Sequence, residues 1–193
     1  MSKKPNFFIL GAPKCGTTAL AQYLSDHPNI YMCDPKEPNF FTKDFPVYQQ
    51  QFKDIKEYEQ LFSYAEKQHS IIGEASVWYL YSNTAVKEII EHYPDAKFIA
   101  MVRNPVDMAT SLHSQMVLMR EESISDFTEA WELQETRAQG NNIPAQCRER
   151  SFLQYKKVCS LGEQVSRLLK TTKGKNTKII FFDDMIKDTR ATY

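Results

Sequence analysis

Two glycines bracket the first stretch able to do chemistry, Gly11-Ala12-Pro13-Lys14-Cys15-Gly16, and Thr17-Thr18 follow at once. A loop of this kind running into a helix is an anion cradle. Backbone N–H groups and the positive end of the helix dipole converge on one point, and a lysine ammonium adds full charge. Gly16 lets the backbone come close, and the hydroxyls of Thr17 and Thr18 can donate hydrogen bonds. The nucleoside-triphosphate loop GxxxxGK[ST] is a different pattern. Here Thr17 follows the second glycine and the lysine lies inside the loop at position 14, so a magnesium-ligating role does not carry over. The plain alternative is a glycine-rich strand-to-helix turn with an exposed lysine.

A second constellation is Arg103 with Ser111, eight residues further on. An arginine at the carboxyl end of a buried strand sits where ligands gather in open α/β sheets. With a hydroxyl two turns into the next helix it could grip a phosphate. The alternative is an arginine paired with Asp107 and a serine in mid-helix. Glu37, in Lys36-Glu37-Pro38-Asn39-Phe40-Phe41, is a carboxylate in a partly apolar loop and suits proton abstraction from a hydroxyl. Its alternative is a solvated loop glutamate. The four histidines, His27, His69, His92 and His113, show no metal spacing, and His113 is the fallback base.

These residues need elements to hold them. Phe7–Leu10 reads as a strand buried on both faces, ending at Gly11, and Thr17–His27 as a helix stopped by Pro28. Residues 33–45 read as a long ordered loop, with Phe40, Phe41 and Phe45 packing beneath it. A helix is expected over Ile55–Ala65, a strand over Ile71–Ala75, a helix over Thr84–Tyr93 and a strand over Lys97–Val102. Asn104-Pro105 supplies an N-cap and a first helical residue. Further helices are expected at about Ser125–Arg137 and Gln154–Lys170, and a last strand at Lys178–Phe182. Strands alternating with helices imply a three-layer, P-loop-like α/β fold, a central parallel sheet flanked by helices.

The 193 residues suffice for one domain with a real core and are too few for two. Basic and acidic side chains balance at 24 each, which argues against a nucleic-acid partner, since a basic excess is the usual footprint. The apolar run after the basic N-terminus is too short for a signal peptide, and no segment approaches the roughly 20 apolar residues of a membrane span. The cysteines, at 15, 33, 147 and 159, lack metal spacing and read as reduced thiols of a cytoplasmic protein.

Pro13-Lys14-Cys15-Gly16-Thr17-Thr18 resembles the 5′-phosphosulfate motif PKSGTT of sulfotransferases that use 3′-phosphoadenosine 5′-phosphosulfate (PAPS). Arg103-Asn104-Pro105, with Ser111 eight positions after the arginine, resembles their 3′-phosphate motif. Lys36–Phe41 resembles the KExxFF motif of the heparan-type and bacterial branch, whose glutamate is the general base, and Glu37 matches it. Gly73–Leu80 is similar to that branch's GE-x-SPxYL segment, with Val77 in place of the usual proline and Ser76 and Trp78 as acceptor-side candidates.

The resemblance implies a single sulfotransferase domain over residues 1–193. It would transfer a sulfuryl group from PAPS to a hydroxyl or amine, leaving adenosine 3′,5′-bisphosphate, without a metal. Lys14, Cys15, Gly16, Thr17, Thr18, Arg103 and Ser111 would bind the donor, with Lys14 and Glu37 catalytic. Cys15 replaces the common serine. The acceptor (sugar, lipid, peptide or small alcohol) and the oligomeric state are not readable. Relatives continue past the KIIFF strand into helices and a basic lid loop, so a C-terminally truncated domain that turns over slowly is expected. The rivals are a P-loop-like nucleotide kinase or phosphotransferase and a non-catalytic nucleotide-binding module.

Overall fold

The structure is a computed structural model describing residues 3–49 and 51–189. In chain order its elements are β1 (Phe7–Ile9), α1 (Thr17–Ser25), β2 (Ile30–Met32), α2 (Ile55–Glu59), β3 (Ile71–Ala75), α3 (Ala85–His92) and β4 (Lys97–Val102). They continue as α4 (Pro105–Leu118), α5 (Phe127–Glu132), α6 (Gln134–Ala138), α7 (Tyr155–Val158), α8 (Leu161–Thr172), β5 (Thr177–Phe181) and α9 (Phe182–Lys187). The chain forms two compact units, one of Met1–Val102 with Gly162–Tyr193 and the other of Arg103–Leu161.

The first unit holds a five-stranded sheet in the order β2-β3-β1-β4-β5, with every described pairing parallel. β1 is central because Phe7, Phe8 and Ile9 are all buried, as a strand covered on both faces must be. Phe7 aligns with Gly73 on one side and Lys97 on the other. Phe8 packs against Phe41, Tyr93 and Phe98, with ring centroids 6.0–6.2 Å apart. The expected strands β3 and β4 have the bounds read from the sequence. The loop over residues 33–45 is ordered, and Phe40, Phe41 and Phe45 are buried.

Several expectations need correction. β2 was not anticipated: three half-buried residues are too few to show a period, and the parallel edge of β3 supplies its pairing. The helix expected to Ala65 ends at Glu59 and continues as a 3₁₀ turn over Gln60–Phe62. Ser125–Arg137 is two short helices, α5 capped by the Asp126 carboxylate and α6 starting after Leu133. Gln154–Lys170 is also broken. The Ser160 hydroxyl donates to Lys156 O and the Leu161 N–H bonds only two residues back to Cys159 O, so α7 stops before α8 begins. The last strand ends at Phe181, and Phe182 opens α9. The helix start expected at Asp188-Thr189-Arg190 lies partly outside the described residues, as do Met1 and Ser2.

Candidate active site

The loop after β1 is held by the sheet. The Ala12 N–H donates to Met101 O at 2.8 Å, the Met101 N–H to Gly11 O at 2.7 Å, and the Leu80 N–H to Leu10 O at 2.8 Å. Gly11 has φ +122°, and a Cβ there would collide with the Val77 carbonyl oxygen. Gly16 caps α1 in the left-handed region at φ +83°, and a Cβ on it would lie 2.7 Å from the Phe182 ring. Only glycine satisfies both demands at each position.

The N-terminus of α1 carries no side-chain cap and no acidic residue in its first turn. Its first N–H groups therefore have no intrahelical acceptor and no first-turn acid of their own helix beside them, as an anion site requires. Lys14, also left-handed at φ +62°, is half-buried; Thr17 is buried and Thr18 exposed. The Cys15 side chain is fully buried, and its N–H makes a long 3.4 Å bond to Ala12 O. The loop's polar offer to an anion thus comes from backbone, Lys14 and threonine hydroxyls.

Glu37 lies on the segment that follows β2 along the carbonyl edge of β3. The Cys33 N–H donates to Gly73 O at 2.9 Å and the Glu37 N–H to Ala75 O at 3.1 Å. The Glu37 side chain is 37% exposed, and the Lys36 ammonium lies 2.6 Å from its Oε1. Glu37 and Asn39 both have left-handed backbones, at φ +64° and +49°. Such conformations cost non-glycine residues on the order of 1–2 kcal/mol and persist only where neighbours hold them.

Beneath this turn lies a group the sequence reading missed. Glu74, on β3, is fully buried; its Oε1 accepts from Tyr58 OH at 2.6 Å and Tyr79 OH at 2.8 Å, and its Oε2 from Ser76 Oγ at 2.6 Å. Burial pushes its carboxyl from 4.5 up to about 7, outweighing the three hydroxyls and the Lys36 charge, which favour ionisation. The same burial, with the Glu74 charge, drives the Tyr58 and Tyr79 hydroxyls well above their usual range. Ser76 and Trp78, the acceptor-side candidates, are buried at 0% and 5% exposure. Ser76 instead accepts the Asn39 N–H at 3.0 Å. The available signal was a glutamate inside the apolar strand Ile71-Ile72-Gly73-Glu74-Ala75.

In the second unit, Arg103 directly follows β4 in the chain, Asn104 caps α4 through its side chain to the Val106 N–H, and Ser111 is half-buried on α4. His113 is not a solvent-facing base. It is buried, its Nε2 lies 2.9 Å from Ile124 O, and its ring packs edge-on to Phe127 and Tyr155. A buried ion pair anchors this unit: Arg137 grips Glu122 through two bonds of 2.6 and 2.7 Å. Tyr155 OH and the Ser123 and Ile124 N–H groups complete the Glu122 shell. Burial pushes its carboxyl up, and Arg137, the Ile124 N–H and Tyr155 OH outweigh that and hold it below the usual range.

Among the described residues no cluster of three or more His, Cys, Asp or Glu side chains could hold a metal, and no helix is long and apolar enough to cross a membrane. A sulfotransferase domain model matches residues 4–192. A solved sulfotransferase from Alicyclobacillus acidocaldarius is 33% identical and superposes with a TM-score of 0.85, covering 97% of this chain and 76% of that one. The membrane-associated sulfotransferase kil1 of Dictyostelium discoideum is 31% identical over 55% of this chain and 22% of its own length. A bifunctional heparan sulfate N-deacetylase/N-sulfotransferase of Caenorhabditis elegans is 30% identical over 63% of this chain and 14% of its own. The chain therefore spans less than a quarter of these two curated relatives.

Proposed function

The chain belongs to the sulfotransferase domain family, and from that premise we propose that it moves a sulfuryl group from PAPS to a hydroxyl or amine of an acceptor. The observation that carries this reading is the glycine-capped N-terminus of α1, free of any side-chain cap or first-turn acid, with Lys14 in the loop before it. A phosphosulfate placed there meets N–H donors, the helix dipole and an ammonium.

The reaction breaks the bond between sulfur and the oxygen bridging to the 5′-phosphate, and forms one between sulfur and the acceptor oxygen or nitrogen. Glu37 takes the proton released by the acceptor. Lys14 and the loop N–H groups stabilise the charge that develops on the departing phosphate oxygen. Lys36, 2.6 Å from Glu37, holds that carboxylate in place before transfer. Arg103 and Ser111 take the 3′-phosphate, a role that rests on their resemblance to the family motif. The acceptor class we favour is a saccharide, on the KEPNFF resemblance to the heparan-type branch. A cytoplasmic location belongs to the same proposal and rests on the four cysteines, whose spacing shows no metal signature and reads as that of reduced thiols.

The test is release of adenosine 3′,5′-bisphosphate from labelled PAPS, in excess EDTA, with a panel of desulfated heparin oligosaccharide, a long-chain alcohol, a tyrosine peptide and p-nitrophenol. Label should appear in a panel member. Glu37→Gln should lower turnover about 10²–10⁴-fold while leaving adenosine 3′,5′-bisphosphate affinity within about twofold. Binding of ATP with magnesium but not of PAPS would move the protein to the phosphotransferase reading. Binding of PAPS without transfer would move it to a binding module.

A further inference from the structure

We infer that Ser76, anchored by Glu74, is a positioning residue for Glu37: it holds the strained turn that presents the general base. The inference rests on the assignment of Glu37 made above and concerns what keeps that residue in place.

Glu37 and Asn39 flank Pro38 with φ values of +64° and +49°, in the region that favours glycine. Left to itself such a turn relaxes to extended backbone, because each left-handed residue costs on the order of 1–2 kcal/mol. Five hydrogen bonds oppose relaxation. The Glu37 N–H donates to Ala75 O at 3.1 Å, Asn39 Nδ2 to Glu37 O at 2.8 Å, Thr42 Oγ1 and the Thr42 N–H to Asn39 O at 2.6 and 3.2 Å, and the Asn39 N–H to Ser76 Oγ at 3.0 Å. The last is the only one of the five that ties Asn39 to a side chain outside its own loop, on the residue directly after β3.

Ser76 can serve there because its orientation is fixed from behind. Its hydroxyl proton is committed to Glu74 Oε2 at 2.6 Å, which leaves the oxygen lone pair aimed at the Asn39 N–H. Glu74 is in turn held by Tyr58 from α2 and by Tyr79. The Tyr79 hydroxyl also lies 3.4 Å from the Phe41 N–H as its acceptor, so the same cluster grips the loop at a second point. Ser76 is fully buried, with its hydroxyl bonded to Glu74 and the Asn39 N–H, so its effect on transfer is expected to run through the turn.

The experiment compares Ser76→Ala with the unmodified chain by amide hydrogen exchange, without donor or acceptor. The Asn39 amide should exchange at least tenfold faster in Ser76→Ala while the Phe8 and Ala100 amides of the central strands keep their protection. Ser76→Cys, which keeps the volume but offers a weak acceptor, should do the same if Ser76→Ala fails to fold. Turnover is then measured with the panel acceptor that reacts. Ser76→Ala should lower it at least tenfold, with adenosine 3′,5′-bisphosphate affinity within twofold, yet add less than twofold to the loss in Glu37→Gln. An Asn39 amide that stays protected, or losses that multiply in the double variant, overturns the inference. Full turnover in Glu37→Gln instead removes the base assignment, and the exchange measurement still decides whether Ser76 holds the turn.

Discussion

Replacing Glu74 by glutamine removes one titrating group from the core and leaves its size unchanged. In the folded protein burial raises the Glu74 carboxyl from 4.5 to about 7. In the unfolded chain it returns to the ordinary carboxyl range. The folded state therefore binds the proton more tightly than the unfolded state. The stability this contributes is fully present below pH 4.5 and is lost as pH rises through 7. At about 1.4 kcal/mol per pH unit the loss is roughly 3 kcal/mol. The groups facing Glu74 are Tyr58, Tyr79 and Ser76, with the charge of Lys36 and, more distantly, Cys33 and Tyr93. The phenols and the thiol have values raised by burial, so none of them loses a proton between pH 5 and 8. Urea denaturation of both proteins at pH 5, 6, 7 and 8 gives the stability difference between them. That difference, unmodified minus Glu74→Gln, should fall by roughly 2.5 kcal/mol between pH 5 and pH 8, with most of the fall below pH 7. Parallel curves, or a difference that grows with pH, would show that the three hydroxyls outweigh burial.

Arg103→Ala should weaken adenosine 3′,5′-bisphosphate by about 1.5–3 kcal/mol and leave adenosine 5′-monophosphate nearly unchanged, read by calorimetry; equal losses for both remove the 3′-phosphate assignment. Gly16→Ala should lower the melting temperature and weaken PAPS, because the backbone sits at φ +83° and the new Cβ meets the Phe182 ring. An unchanged melting point would show that the helix start relaxes freely. Arg137→Leu should cost about 3–5 kcal/mol in denaturant unfolding, since it strands Glu122, which is fully buried; a loss below 1 kcal/mol would mean that Tyr155 and the two N–H groups suffice alone.

Local chemistry was legible in the sequence and distant partnership was not. Strands β3 and β4 could be bounded from their apolar runs because the helices and loops around them supply clear stops. The strand-to-helix loop after β1 was readable because its glycines, lysine and threonines are contiguous. β2 escaped because its evidence is the β3 edge, 41 residues later in the register Ile30 to Ile71. The Glu74 cluster escaped for the same reason: Tyr58, Ser76 and Tyr79 meet the carboxylate only once α2 and the loop after β3 have packed. Ser76 was misjudged as facing an acceptor because sequence spacing does not tell whether a residue beyond a strand's end points outward or back into the core.

The strand order has a consequence for how the chain is made. β1 is synthesised first and occupies the centre of the sheet, yet its partners begin at Ile71 and Lys97. At roughly 5–20 residues per second, the ribosome spends several seconds between making Phe7–Ile9 and making their second neighbour. During that interval an apolar segment waits without its sheet, as long-range parallel pairing requires. The bonds that shape the loop after β1, Ala12 N–H to Met101 O and Met101 N–H to Gly11 O, cannot form earlier. A nascent chain stalled before Met101 would carry every letter of the loop motif and lack the two bonds that shape it.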